Sequence, residues 1–188
     1  MHCKVLDNTA LSAFRNEIRS VNVLDILTSE YPVVITDAVM AESMAKVGGR
    51  PIPEIVKTMS SNDVEEVAFR LRKRFMKLHM GECTAIAQSV FLTRNGIENY
   101  IVTDDRAARK VIESIGSSAN VDDIFGFPVG HINLAGTVGL IVHLYKRGFL
   151  TGDECFKIAD DLENSTFRVS YKLLKKLRNL SRRIRPRC

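Results

Sequence analysis

The sequence places acidic residues directly after predicted strands or inside the helices that follow them. Asp7 follows one strand, and Asp104 and Asp105 follow another. Glu42 lies inside the helix after a further strand, and Glu82 lies in the first turn of its own helix. In an open parallel sheet, functional sites form beyond the carboxyl ends of the strands. The spacing therefore suggests one acidic pocket to which all of these residues contribute.

An acidic pocket of this kind suits the hydrolysis of phosphodiester bonds. That reaction needs a nucleophilic water and a group that neutralises charge on the scissile phosphate. Carboxylate oxygens hold Mg²⁺ or Mn²⁺, and the bound ion polarises the phosphate and acidifies the water. The alternative is that the acids are helix caps and first-turn acids, which the helix dipole favours. We interpret Asp63, Asp153 and Glu154 in that second way.

The elements that must position these acids alternate between strand and helix patterns. Predicted strands span residues 3–6, 31–35 and 99–103, with a further strand near Val121 or Ile124. Predicted helices span 10–14, 21–28, 37–47, 62–78, 81–93, 104–115, 134–147, 152–163 and 170–183, and residues 50–61 form a loop with a short helical turn. Asn8 or Thr9 is expected to cap the first helix. Strands separated by helices favour a three-layer α/β/α domain with a parallel sheet.

Length and composition are typical of one globular domain. The chain has 188 residues, of which 45% are apolar and 26% charged. Its first residues lack the layout of a signal peptide, and the longest apolar stretch, 138–145, is too short to span a bilayer. We therefore expect a cytoplasmic protein without a membrane partner. The four cysteines form no CxxC pair and no zinc spacing with the histidines, so we expect free thiols.

Positive charge is concentrated at the end of the chain. Residues 172–188 carry eight Lys or Arg and no acid, whereas the preceding part carries 19 basic and 22 acidic residues, a net charge of −3. A block of one sign often contacts nucleic acid or another anionic surface. Leucines at helical spacing in the same segment predict docking on the body or on a second copy, namely Leu173, Leu177 and Leu180 with Ile184.

A second basic surface is predicted on the helix near residues 62–79. Its basic residues lie opposite an apolar stripe, and they are Arg70, Arg72, Lys73, Arg74 and Lys77. The stripe consists of Val67, Leu71, Phe75 and Leu78. A solvated helix face and a phosphate-binding face are both compatible with this pattern.

Five segments together resemble a PIN domain. They are VLDNTALSAF, ITDAVMAE, MGECTAIAQSV, YIVTDDRAARKV and GTVGLIVHLYKRGFLT, and they run in order from about residue 3 to 151. The likeness is to the prokaryotic, often archaeal, branch with GE-x-x-A, TDD-x-x-AR and late G-T-x-G motifs. It implies a sheet of about five parallel strands over residues 1–151. Residues 152–188 would then be a helical extension with a basic tail.

The resemblance also assigns the site. Asp7, Glu42 and Glu82 match the first three family acids, and the T-x-D pattern favours Asp105 as the fourth, whereas a shift of one residue selects Asp104. It implies a Mg²⁺ or Mn²⁺ ion held by Asp7, Glu82 and one or both of the last two acids. Thr9 would orient Asp7 or cap a helix. Further residues expected to orient the acids or contact substrate are Arg106, Arg109 and Thr137, and Arg109 could instead pair with an acid.

The implied function is a metal-dependent endoribonuclease, either a toxin of a toxin–antitoxin pair or an RNA-processing enzyme. The alternative is a non-catalytic RNA-binding or assembly protein on the same fold. The expected partners are RNA, an antitoxin protein and a second copy of the chain. One departure from the family is the long stretch 116–135, which contains Phe125 and Phe127. It is interpreted as a strand with a loop that shapes the substrate groove, or as a packing or dimer element.

Overall fold

The computed structural model describes residues 2–45, 49–59, 61–117, 121 and 123–181. The strands are β1 (Cys3–Leu6), β2 (Val33–Thr36), β3 (Lys57–Met59), β4 (Asn99–Val102) and β5 (Asn133–Ala135). The helices before β4 are α1 (Asn8–Ser12), which continues as a π-helical turn (Ala13–Glu17), α2 (Val23–Glu30), α3 (Asp37–Met44), α4 (Asn62–Arg74) and α5 (Met80–Arg94). Those after β4 are α6 (Arg106–Ser114), α7 (Thr137–Arg147), α8 (Gly152–Glu163) and α9 (Tyr171–Ser181).

The strands form one parallel sheet in the order β3-β2-β1-β4-β5. From the central strand β1, the chain first builds one side of the sheet through β2 and β3. It then returns to the other side of β1 and adds β4 and β5. The direction of winding therefore reverses between β1 and β4. In open α/β sheets, ligands bind in the crevice beyond the carboxyl ends of the strands at such a switch point.

Both faces of the sheet centre are covered. Every residue of β1 and β2 is buried, although neighbouring residues of a strand point to opposite faces. Helix α5 crosses the sheet and contacts β1, β2 and β4. A strand that is buried on both faces reads as a nearly continuous apolar run, and the pattern Val33-Val34-Ile35 is typical of this. The predicted α/β fold with a parallel sheet and flanking helices is confirmed.

Two short edge strands differ from the sequence-based prediction. β3 lies in residues 50–61, which were predicted to be a loop. β5 lies at Asn133–Ala135, so the prediction of a strand near Val121 or Ile124 is wrong. Ile124 instead belongs to a turn. The helix predicted from residue 134 begins only at Thr137, because the chain first pairs with β4 through Leu134.

Some helices begin at other residues than predicted, because another residue caps the helix. The side chain of Asp7 caps α1 by accepting a hydrogen bond from Ala10 N–H, so the prediction of Asn8 or Thr9 as the cap is wrong. Ser61 caps α4, and Asp63 lies in its first turn. Helix α6 was predicted from Asp104 but begins at Arg106, because Asp105 is its cap. The predicted end of α3 at residue 47 lies outside the described residues.

The C-terminal extension is docked on the body. Helix α9 packs against α8, and the Tyr145 hydroxyl of α7 donates a hydrogen bond to the carbonyl of Leu180 at 3.3 Å. Leu174, Leu177 and Leu180 are buried, whereas Leu173 is 37% exposed. The predicted docking on the body is therefore confirmed, but Leu173 was wrongly placed in the buried stripe. Ile184 and the rest of residues 182–188 lie outside the described part.

Three cysteines, at positions 3, 83 and 155, are buried, and they form no disulfide within the described residues, as predicted, whereas Cys188 lies outside that part of the chain. Burial raises the pKa of the Cys83 thiol to about 12, which makes it a poor nucleophile at neutral pH. No helix within the described ranges is long and apolar enough to cross a lipid bilayer.

Candidate active site

Asp7 is a buried carboxylate at the switch point of the sheet. It directly follows β1, and only 1% of its surface is exposed. Burial raises its pKa to about 7, repulsion from Asp104 acts in the same direction, and hydrogen bonds from Thr103, Ala10 and Thr9 oppose the rise. No Lys or Arg of the described residues forms a salt bridge with it. A carboxylate in this setting remains uncompensated until a cation or a proton neutralises it.

Two threonine hydroxyls hold the Asp7 carboxylate and join it to the end of β4. Thr9 Oγ1 donates to Asp7 Oδ1 at 2.7 Å and accepts from the backbone N–H of Asp104 at 3.1 Å. The fully buried Thr103 also hydrogen-bonds Asp7, and its hydroxyl accepts from Asp105 N–H at 3.1 Å. Thr103 was not predicted as a site residue, although it is the first residue of the TDD motif.

Asp104 and Asp105 are held by different helices. Asp105 caps α6, where its Oδ1 accepts from Ala107 N–H at 2.7 Å and Ala108 N–H at 2.8 Å. Asp104 instead faces the start of α7, where its Oδ2 accepts from Thr137 N–H at 3.0 Å and its Oδ1 lies 3.3 Å from the same nitrogen. The second oxygen of Asp105 makes no hydrogen bond with a described residue, whereas both oxygens of Asp104 face Thr137.

Glu42 and Glu82 meet at the first turn of α5. Glu42 Oε1 accepts from Gly81 N–H at 2.8 Å, and Glu82 Oε2 accepts from His79 N–H at 2.8 Å. Burial raises the pKa of Glu82, and repulsion from Asp105 and Glu42 adds to the rise. A Cβ at position 81 would lie 2.7 Å from Glu42 Oε2. Only glycine at position 81 lets the Glu42 carboxylate come this close to the start of α5. In the sequence, Gly81 was recognised only as part of the GE-x-x-A motif.

The start of α5 is fixed to the sheet by a pair of hydroxyls that were also not predicted. Thr36, at the end of β2, lies with its Oγ1 2.7 Å from Thr84 Oγ1. Thr84 Oγ1 in turn donates to the carbonyl of Gly81 at 3.0 Å. These contacts fix the first turn of α5, and with it Glu82, beside the carboxyl end of β2.

The acids suit Mg²⁺ or Mn²⁺ in their chemistry, because all donors are hard oxygens and no Lys or Arg of the described residues forms a salt bridge with them. A further sign is Thr137, whose buried hydroxyl has no hydrogen-bond partner among the described residues. Bound water or an ion commonly satisfies such a group. Electrostatic repulsion raises the pKa of Asp7 through Asp104 and the pKa of Glu82 through Asp105 and Glu42. Over the described ranges, no three His, Cys, Asp or Glu residues lie close enough to hold one ion.

A cleft of about 450 Å³ opens beside Asp104. Arg106 and Arg109 of α6 line it, together with Phe167 and Arg168 from the segment before α9. Arg109 donates to the carbonyl of Thr103 at 3.1 Å, and within the described residues it forms no salt bridge with an acid. The C-terminal extension thus contributes an aromatic ring and a cation to the rim of the acidic site, which the sequence did not indicate.

The second basic surface has the predicted orientation. Val67, Leu71 and Leu78 are buried, and the basic residues of α4 are exposed. Arg70 forms an i,i+4 salt bridge with Glu66 and donates to the carbonyl of Ile124 at 3.3 Å. These contacts are typical of a solvated helix face.

The described part of the stretch 116–135 packs on α5. Phe127 contacts both Phe91 and Phe125, and the Arg94 guanidinium lies 4.1 Å from the Phe127 ring centroid. Phe125 is buried. Of the two interpretations of this stretch, the contacts favour a packing element, which continues into the edge strand β5.

The model of a family described as PIN domain matches residues 3–119, which is more than half of the chain. The matched range contains all five acids and ends before β5 and α7. No curated protein and no solved structure matches the chain.

Proposed function

The chain belongs to the PIN-domain family, whose members are generally nucleases, and we propose that it is a metal-dependent endoribonuclease. Asp7, Glu82 and one acid of the pair Asp104 and Asp105 would hold Mg²⁺ or Mn²⁺, and to share one ion they would have to lie closer together than they do in the described residues. The ion, when bound, polarises the scissile phosphate and lowers the pKa of the attacking water. The chain itself orients the acids through Thr9, Thr103 and backbone N–H groups.

One observation carries this proposal: the carboxylates at the switch point accept hydrogen bonds from backbone N–H groups but form no salt bridge with a Lys or Arg that the structure describes. Structural acids in such a position commonly pair with Lys or Arg, and burying a negative charge without a partner is costly. The raised pKa of Asp7, about 7, reflects that cost. A divalent cation offsets it, and the cleavage of a phosphodiester bond uses the same cation.

RNA as the substrate is supported by the cleft beside Asp104. Arg106, Arg109 and Arg168 provide cations for backbone phosphates, and Phe167 provides an apolar ring at the rim. Arginine contacts to phosphates position a strand without reading its sequence. An acidic pocket repels a polyanion, so separate cations next to it would hold the strand while the acids hold the ion.

The proposal is tested by incubating the purified protein with single-stranded and structured RNA. We expect cleavage with Mg²⁺ or Mn²⁺, none with EDTA, and products with a 5′-phosphate and a 3′-hydroxyl, because water rather than the ribose 2′-hydroxyl attacks. The matched control is Asp7→Asn, which should remain folded and lose cleavage. Full activity in chelator, or products with a 2′,3′-cyclic phosphate, would contradict the mechanism.

A non-catalytic RNA-binding role is the second candidate, and the absence of three convergent acids within the described residues favours it. RNA binding without cleavage at any Mg²⁺ or Mn²⁺ concentration would select it. A toxin role would require a cognate antitoxin that blocks cleavage, and an RNA-processing role would not. The homodimer and the domain boundary at residue 151 remain predictions, and light scattering would test the dimer.

A further inference from the structure

A second cavity, of about 380 Å³, lies between one face of the sheet and α7. Lys4 of β1 and Tyr100 of β4 are register partners and line its floor. Gly139 and His143 line it on the side of α7, and Arg109 lines it at the end nearest the acidic site. His2, glycine and aliphatic residues complete the wall, and no acid of the described residues contributes to it. The volume lies in the range of small-molecule sites.

Lys4 is the unusual residue of this cavity. Its side chain is 3% exposed, and it forms no salt bridge or hydrogen bond with a described residue. Its ammonium instead lies 4.3 Å from the Tyr100 ring centroid and 4.7 Å from that of Tyr31. Rings attract the cation but do not accept its hydrogen bonds, so the ammonium retains donors for a ligand in the cavity. Glu98 attracts this ammonium without forming a salt bridge with it. A buried lysine that lacks a salt bridge is costly, and functional sites are where such costs are usually found.

The mouth of the cavity is kept open by a glycine. Gly139 lies in α7 and is exposed, and a Cβ built on it would have no heavy atom within 4 Å. Neither packing nor a positive φ requires glycine here. Alanine would favour the helix, so the missing side chain is better explained by access to the cavity than by the fold. Gly139 and Arg109 also line the cleft beside Asp104, so the two spaces adjoin at these residues.

We propose that this cavity binds a phosphomonoester carried on a small, partly apolar body, of the class of a nucleoside 5′-monophosphate. Lys4 and Arg109 are two cations in a wall to which no acid among the described residues contributes, and this charge matches a dianion rather than a carboxylate. The aliphatic wall matches the uncharged part of the ligand. The choice of a nucleotide as the body rests on the proposed function, because the cavity adjoins the site at which 5′-phosphate ends would form. The proposal that the ligand carries a phosphomonoester group does not depend on the proposed function.

Calorimetry in EDTA, where no metal-dependent cleavage occurs, tests the site separately from the proposed nuclease activity. The probes are inorganic phosphate, nucleoside 5′-monophosphates and the matching nucleosides, at constant ionic strength. We expect monophosphates to bind and raise the melting temperature, and nucleosides to do neither. Lys4→Met and Gly139→Leu should each weaken monophosphate binding at least tenfold. Lys157→Met is the matched control, because Lys157 is exposed on α8 and lines neither space.

Gly139→Leu keeps the test valid if Lys4→Met fails to fold, because the new side chain projects from an exposed position with room around it. Two sources of the ligand are separated by competition with an uncleavable oligonucleotide that carries either a 5′-phosphate or a 5′-hydroxyl. Competition by the phosphorylated form alone identifies an RNA end as the ligand, and no competition identifies a free nucleotide. The proposal is overturned if no phosphomonoester binds at millimolar concentration, if both variants bind like the wild type, or if both oligonucleotides compete equally.

Discussion

The hydroxyl of Thr9 lies between two parts of the acidic site. It donates to the Asp7 carboxylate at 2.7 Å and accepts a hydrogen bond from the backbone N–H of Asp104 at 3.1 Å. Asp7 follows β1 and Asp104 follows β4, so this one side chain couples the ends of the two strands that flank the switch point. Groups that orient metal-binding carboxylates in this way affect both affinity and activity.

Thr9→Val should therefore reduce metal-dependent RNA cleavage by roughly 10- to 100-fold, the range typical of groups behind metal ligands. Thr9→Ser retains the hydroxyl and should recover most of the activity. The measurement is the cleavage rate as a function of Mg²⁺ concentration, with the melting temperature of each variant as the folding control. A structural role alone would lower stability in both variants without changing the Mg²⁺ dependence.

Asp7 should give the metal-free protein an unusual pH dependence of stability. Its folded pKa, about 7, lies above the ordinary value of 3.8, so the folded state binds the proton more tightly than the unfolded state. The contribution of Asp7 to the free energy of unfolding is therefore complete below about pH 4 and is lost as the pH rises to about 7. The loss is on the order of a few kcal/mol.

Denaturant unfolding of the wild type and Asp7→Asn in EDTA measures this contribution. The difference in unfolding free energy should favour the variant progressively from about pH 4 to about pH 7 and should change little above that. A variant that is uniformly less stable, by the same amount at every pH, would mean that Asp7 acts through its hydrogen bonds and not through its charge.

Gly81→Ala should separate the position of Glu42 from the stability of the fold. The added Cβ would lie within 3 Å of the Glu42 carboxyl group, which is the far end of a side chain that can move away. Alanine also favours α5, so stability should change by no more than about 1 kcal/mol. Displacement of a site carboxylate should reduce cleavage on the order of 100-fold.

Combining Gly81→Ala with Glu42→Gln provides the control for that prediction. If both changes act through the Glu42 carboxylate, the double variant should be no worse than the worse single variant. Multiplicative losses of cleavage rate would show that Gly81 acts independently of Glu42.

The two adjacent aspartates should differ in their effects. Asp105 has an oxygen without a hydrogen bond to any described residue and lies in the field of Glu82, whereas both oxygens of Asp104 face Thr137 N–H. We expect Asp105→Asn to reduce cleavage more than 100-fold and Asp104→Asn to reduce it less. Asn replaces Asp well as a helix cap, so stability should change by less than about 1 kcal/mol. The reverse order of cleavage rates would assign the fourth ligand to Asp104.

The sequence predicted the central part of the fold because those segments carry strong local signals. The range of β1 was predicted without error, since four apolar or buried residues are followed by an acid. The range of α8 was also predicted without error, and Thr151 and Glu154 form a capping box at its start. The edge strand β3 has only three residues, and its composition does not indicate a strand. Its hydrogen bonds to β2 stabilise the extended conformation instead. β5 was merged with α7 because Leu134 and Ala135 fit an apolar helix pattern equally well.

The order of the motifs was enough to predict the site residues. It was not enough to predict their hydrogen bonds. Sequence spacing places Asp7 after a strand, but the choice between capping by Asp7 and by Thr9 depends on side-chain direction. The close approach of Gly81 to Glu42 joins residues 39 positions apart. Phe167 and Arg168 reach the acidic site only because α9 docks on α8, a tertiary contact that no local pattern specifies.

The basic end of the chain should strengthen RNA binding without contributing to the chemistry. Residues 172–188 change the net charge from −3 to +5, and four of their eight cations lie in 182–188, beyond the described residues. Within the described part, α9 is held by the salt bridges of Arg178 with Asp160 and Glu163 and by the buried Leu177. All residues of these contacts precede residue 182, so deleting residues 182–188 removes none of them.

Deletion of residues 182–188 should therefore weaken RNA affinity and flatten its salt dependence, while cleavage of saturating substrate changes little. For single-stranded RNA, the slope of log affinity against log salt should fall by roughly 0.7 for each phosphate contact that is lost. A full-length variant with Arg182, Arg183, Arg185 and Arg187 changed to Gln is the matched control, because it removes the charge and keeps the length. The two proteins should behave alike.

If the Gln variant binds RNA like the wild type and only the deletion weakens binding, the segment acts by packing and not by its charge. If neither changes affinity or slope, RNA is held elsewhere, and the arginines of the cleft beside Asp104 and the basic face of α4 are the next surfaces to test.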